Sequence, residues 1–582
     1  VIEQSGIIRS IEAPVRGGIR RLPLLIAPLV LLFVLLPLSA QEKKEATQKD
    51  VDVQKAAQSQ RTDTPLPKID LPEFVITGSE QIDLNISTKT EDDEERIFMP
   101  QKPTPGFRSL EVDGAISQKQ IKQFSKAPEG LNGKIFTGLG FYLTPQVDGW
   151  FGRHDEKNSF MINGYYYSTE GHVTDAGFWR AGFGGKGRYV MPDSSSFLPY
   201  AQLNGEIQYG RESYRAYASL APTQVRDLSG FDLSLGAGSR YALPYKSLSG
   251  FDYTGKFGVR YFSARDSISS GETDIVLSGV ATTRFLTIAL RGQTEYRMTS
   301  YDMNIPGVQT GQWFVLKGDG QTLVLPSLQI SFALQQFIYR GNIGPASGRF
   351  YPGIELRYFL TESATMYAGF SPSVERTTLS SLTKQNRYMH FSTPVIPSDI
   401  PVNVLAGFEF TPVDEITAGA KFRYRHINNF ATFLDTSGAK VWEVTYLSGV
   451  RSSAVDVSVV YRFNAKQNVT AYASTQTVRQ KDSAVVLPNI PKYSFGSVYH
   501  HFFDVGLHVE ALAEFVSSRF TNSANSHSNA GYVYTSIKGD IEVLKRFRAA
   551  AEMHNLLNQR YYIWNGYQER GIYLLLGISY SW

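Results

Sequence analysis

Polar and apolar residues alternate with a period of two along most of this chain. Ile416, Ala418, Ala420, Phe422 and Tyr424 share one face of an extended segment; Thr417, Gly419, Lys421, Arg423 and Arg425 share the other. Val455, Val457, Val459, Tyr461 and Phe463 stand opposite Asp456, Ser458 and Arg462 in the same way. Val505, Leu507, Val509, Ala511, Ala513 and Phe515 repeat the pattern opposite His508, Glu510 and Glu514. From about Lys134 to Trp582 such segments follow one another, punctuated by Gly, Asn, Asp, Ser and Pro. At roughly 20 residues per crossing this predicts about 22 strands. A soluble sandwich also alternates, but its strands are shorter and its polar face looks outward. An open sheet of this length would expose unpaired edges, whereas a closed barrel pairs every backbone group within lipid. Phe141-Tyr142, Trp150-Phe151, Tyr165 to Tyr167 and Tyr561-Tyr562 are the expected aromatic girdles. The predicted fold is all-β: a large transmembrane antiparallel β-barrel over residues 134–582, with a mostly irregular N-terminal extension.

That extension divides into three parts. The apolar run Leu22 to Leu38 follows Arg16, Arg20 and Arg21 and ends at Ser39 and Ala40, which predicts a signal peptide over residues 1–40. A retained anchor is the alternative, and Pro23, Pro28 and Pro37 weaken the helix it would need. Residues 41–70 are rich in Lys, Gln, Asp and Thr and read as a flexible periplasmic linker. Residues 71–133 hold a short β-like piece around Glu73-Phe74-Val75-Ile76-Thr77-Gly78, a charged cluster from Glu91 to Arg96 and a Pro-interrupted stretch.

Composition sharpens this reading. A 42% apolar content with a mean hydropathy of -0.21 is too low for many membrane helices and suits strands with one polar face. The formal charge of +4 is spread out, so no nucleic-acid footprint is expected. With no Cys, thiol chemistry and disulfides are excluded. Gly182 to Gly187 matches G-x-G-x-x-G, yet its flanks read as strand on both sides, so crowding between strands explains these glycines better than a dinucleotide. His500 and His501 point to opposite faces of a strand and make a poor metal site. No Ser, His or carboxylate constellation singles itself out, and neither an enzyme nor a cofactor is expected. Lys421, Arg423 and Arg425, with Arg462, are candidate lumen residues tuning ion selectivity toward anions; the plainer reading is salt bridging with lumen carboxylates such as Glu510 and Glu514.

The two ends of the chain carry a family resemblance. The last segment places Ile572, Leu574, Leu576, Ile578, Tyr580 and Trp582 on one apolar face ending in an aromatic residue. Leu574, Leu576, Ile578, Tyr580 and Trp582 resemble the signal that delivers outer-membrane barrels to the barrel assembly machinery. Met553-His554-Asn555-Leu556-Leu557-Asn558-Gln559-Arg560-Tyr561-Tyr562, followed by Gly566-Tyr567 and Glu569-Arg570-Gly571, resembles the closing hairpin of TonB-dependent receptors. Glu73 to Gly78 is similar to the box near their plug. In that family a plug domain separates box from barrel; here only about 55 residues separate Gly78 from Lys134. The resemblance therefore implies an outer-membrane barrel for solute passage or uptake that lacks a full-length plug. The implied partners are outer-membrane lipid, the assembly machinery, and a TonB-like energy-coupling protein or an outer-membrane lipoprotein. A non-conducting structural or assembly subunit is the alternative.

Overall fold

The computed structural model describes residues 132–154, 158–192, 201–238, 251–285, 288–308, 310–481, 483 and 485–582. The predicted signal peptide, the linker and Glu73 to Gly78 lie outside the described residues.

The period-two alternation becomes strand throughout. β16 (Ile416–Asn428) lies between β15 (Ser398–Val413) and β19 (Val450–Asn464), and Lys421 stands opposite Gly407 on one side and Asp456 on the other. Its apolar face looks outward, Phe422 being 41% exposed, while Arg425 on the opposite face is buried. Repeated around the sheet, this arrangement produces an apolar outer wall and a polar interior, because lipid-facing and lumen-facing positions must alternate in a barrel.

The described residues form strands β1 to β27. β13 (Ala364–Phe370) and β14 (Ser373–Glu375) both pair with β15 and are pieces of one crossing. The hairpins β17 (Phe430–Leu434) with β18 (Glu443–Leu447) and β23 (Arg519–Phe520) with β24 (Ser528–Asn529) lie in loops outside the main sheet. What remains is 22 antiparallel crossings. The sheet closes where β1 (Gly133–Gly140) pairs with β27 (Tyr573–Ser581), from Lys134 opposite Ser581 to Gly140 opposite Leu575. At this seam the Trp582 N–H donates to the Gly133 carbonyl at 3.1 Å, and the Gly133 N–H returns to the Trp582 carbonyl at 3.2 Å. Gly133 lacks the Cβ that would collide with the Trp582 ring, which stacks near Phe151 and Tyr580.

Turn length gives the barrel its orientation. The connections 326–327, 362–363, 414–415, 465–466 and 545–546 are two-residue turns on the side where β1 begins and β27 ends. The opposite rim carries the long connections 376–397, 429–449 and 555–572. Short turns mark the periplasmic side of such barrels and long loops the exterior.

Two expectations are corrected. Val505 does not open a strand: β22 (Leu507–Val516) starts two residues later, and Val505 stands 73% exposed in the turn. Tyr561 belongs to no girdle; it is buried in the last long loop, its ring stacked on Tyr532 at 4.1 Å. The Gly182–Gly187 stretch lies inside β4 (Phe178–Val190), where the Tyr165 ring packs against Gly182.

Candidate functional site: the lumen and its closed mouth

On the exterior side the loops do not stand open. Connection 376–397 runs out from the β14–β15 side and is held by strand ends from a distant sector of the rim. It carries one short helix, α1 (Leu379–Gln385), which Thr378 caps with its side chain on the Ser381 N–H. The buried Glu272 carboxylate accepts the Leu379 and Ser380 N–H groups at 2.8 and 3.1 Å, satisfying donors the first helical turn leaves unpaired. Just before the helix, Arg376 donates to Asp274 at 2.6 Å and to Thr299 at 3.1 Å. Just after it, Arg387 pairs with Glu212, and the Arg387 carbonyl accepts from Tyr214 and from Arg226 at 3.1 Å. Arg226 is itself paired with Asp266 at 2.9 Å.

Three further connections pack onto this strap. From 429–449, Trp442 exchanges backbone bonds with Tyr388 and His390, and Tyr446 donates its hydroxyl to the Pro394 carbonyl at 2.9 Å. From 555–572, Tyr567 stacks on Tyr388 with ring centroids 3.6 Å apart, and Trp564 meets Trp442 edge-on at 5.1 Å. From 216–224, Tyr217 packs against Tyr567, and the Leu220 N–H bonds the Ala439 carbonyl. Leu379, Leu382, Met389 and Tyr567 have no exposed surface, and Trp442 is 1% exposed. The result is an apolar lid drawn from four positions around the rim, whose core also takes in residues of the strand ends such as Ala264 and Phe262.

One polar contact inside the lid titrates. The Gln568 carbonyl accepts from His172 Nε2 at 2.6 Å and from the Tyr217 hydroxyl at 2.8 Å, tying three loops together. Burial pulls the His172 imidazole down to about 4, the Gln568 carbonyl opposing the shift and Arg570 adding to it.

The resemblance-bearing segment explains how the last loop is shaped. Asn555 and Asn558 adopt left-handed backbone (φ 45° and 48°), a region asparagine tolerates better than most residues. The Asn555 side chain donates to the carbonyls of Gln559 and Arg570 and accepts the Gln559 N–H. Asn558 accepts the Ile572 N–H at 2.9 Å. These bonds staple the base of connection 555–572. They also place Ile572 before the last strand, so the outward row of β27 starts at Leu574 and continues through Leu576, Ile578 and Tyr580.

Inside the barrel, Arg423 lies 3.7 Å from Asp456 and Arg425 lies 3.2 Å from Glu375, while Lys421 takes the inward position next to them. Glu510 and Glu514 serve other groups: Glu510 bonds Lys538 at 3.3 Å, and Glu514 sits beside Tyr472. Arg462 does not join the cluster. It stands at the periplasmic end of β19 and donates to the Asp414 carbonyl in the short turn at 3.2 Å. Of the lid residues only Tyr567 falls within a motif legible in the sequence; no motif marks the others, and a Trp or Tyr in each long connection is their one visible sign.

No family model matches this chain, and no curated protein does. Solved structures do. The iron transporter FrpB of Neisseria meningitidis superposes with a TM-score of 0.62 at 10% identity, covering 80% of this chain and 83% of its own. The siderophore receptor PirA of Acinetobacter baumannii gives 0.60 at 10% identity over 77% and 80%. The ferric enterobactin receptor PfeA of Pseudomonas aeruginosa gives 0.59 at 12% identity over 77% and 81%. The receptor-like barrel read from the two ends of the chain is thus borne out as a fold: this chain folds as a barrel of the kind these structures share.

Proposed function

We propose that this barrel passes a solute across the outer membrane through its polar lumen, and that the four-loop lid is the gate on the exterior side. The observation that carries this is the pairing of a closed 22-crossing barrel, wide enough for a solute path, with four exterior connections that pack together across its rim. A purely architectural barrel would gain nothing from a lid latched by so many charged bonds. The fold likeness to receptors named for iron, ferric enterobactin and siderophores suggests a ferric chelate as the solute class. Within this reading, residues 71–133 act as a short plug, and Glu73 to Gly78 offer a strand to a TonB-like energy-coupling protein. Lys421, Arg423 and Arg425 set the charge preference of the path, with Arg462 at its periplasmic rim.

Liposome swelling with the purified full chain tests the reading. Neutral sugars of graded size should be excluded by the unaltered protein and enter through a Trp442→Ala/Trp564→Ala/Tyr567→Ala variant that also lacks residues 41–131 and still runs as a folded barrel. Equal, negligible swelling of both, with fixed partners co-purifying, would instead support an assembly subunit.

A further inference from the structure

The outer wall holds a second feature, independent of the lumen. On β16, β19 and β20 (Gln467–Gln480), the outward row nearest the exterior rim is His426, Arg451 and Arg479. His426 is the direct cross-strand partner of Arg451, and Arg451 of Arg479. Lys481 follows at the end of β20, its side chain lying over Gly449 beside Arg451. Arg451, Arg479 and Lys481 are exposed. Two arginines directly opposite each other on one face stand about 5 Å apart and repel. Yet neither has an ion-pair or side-chain hydrogen-bond partner among the described residues. The outward positions of these strands, from Ile416 to His426, Arg451 to Phe463 and Val469 to Arg479, include no Asp or Glu.

The opposite arrangement holds elsewhere on the rim, where Arg211 lies 3.6 Å from Asp227 and Arg215 lies 3.0 Å from Asp175. Position completes the argument. Below Arg451 the outward residues of β19 run Ser453, Val455, Val457, Val459, Tyr461 and Phe463. At about 3.4 Å per residue and a tilt of about 40°, Arg451 stands roughly 30 Å above Phe463, just past an apolar band about 25 Å tall. That is the headgroup layer of the outer leaflet.

We propose that Arg451 and Arg479, flanked by His426 and Lys481, bind a phosphate-bearing lipid headgroup of the outer leaflet. Guanidinium groups match phosphate oxygens in paired hydrogen bonds, and an anion between the two arginines converts their repulsion into a shared site.

Native mass spectrometry of the full chain in detergent is the test. The probes are a diphosphorylated glycolipid of the lipid A type, its dephosphorylated counterpart, and inorganic phosphate as a soluble competitor. The phosphorylated lipid should be retained in preference to the dephosphorylated one, and R451Q/R479Q should weaken retention roughly 30-fold. R451K/R479K should retain part of the binding, through charge without the paired hydrogen bonds, and R211Q/R215Q all of it, which separates lost charge from lost fold. Equal retention of both lipids, undiminished retention by R451Q/R479Q, or displacement by inorganic phosphate at concentrations matching the lipid would overturn the assignment.

Discussion

Arg423 and Arg425 are lumen cations that already hold carboxylate partners. Each has a carboxylate within 4 Å, so replacing either one alone leaves a carboxylate behind and shifts local charge by a full unit. In the open barrel, replacing Lys421, Arg423 and Arg425 together by Gln should move the single-channel reversal potential toward cations; an unchanged reversal potential would remove them from the conducting path. His172 makes a prediction of opposite scope. Its pKa is held near 4 in the closed lid and returns toward 6.5 when the contact opens, so the open form binds the extra proton. Closure is therefore fully supported above about pH 6.5 and weakens as pH falls toward 4. Protease cleavage within connection 555–572 should rise across that window in the unaltered protein and stay flat in His172→Gln.

Among the elements, strands were far more legible in the sequence than loops. β16 announces itself because every second residue obeys one environment, lipid or lumen, and that rule is local. The closing hairpin was legible for another local reason, since Asn555 and Asn558 bond within their own loop. The lid was not legible. Its contacts join residues as distant as Tyr217 and Tyr567, and an aromatic residue in a loop looks the same whether it is buried or wet. Arg462 was misplaced for a related reason: alternation gives the face of the strand but not the height at which the side chain finds a partner. The helix α1 owes its position to Glu272, a strand residue more than a hundred positions away in sequence. Glu272→Gln exchanges an anionic cap for an amide that competes as a donor, and should loosen the strap by about 1–3 kcal/mol. Faster proteolysis of connection 376–397 with unchanged barrel mobility is the expected result. Deleting residues 71–78 should abolish energised uptake while leaving barrel assembly and lid protection intact; uptake that survives would dismiss the box as a coupling strand.

At the scale of the molecule, the barrel and its lid are held by different forces. The wall rests on strand pairing closed at the Gly133–Trp582 seam, and disulfides contribute nothing to a chain without Cys. The lid rests on an apolar core as well as on its charged latches, so truncating Trp442 should cost it about 3–5 kcal/mol, with little effect on the strand pairing of the wall. Planar-bilayer conductance tests the central claim most directly, with the unaltered chain compared with the Trp442→Ala/Trp564→Ala/Tyr567→Ala variant, each with and without residues 41–131. A silent unaltered chain and steady ion conductance once the lid is opened and residues 41–131 are removed is the predicted result. A folded barrel that stays silent with both barriers gone would contradict the claim that its lumen is a path.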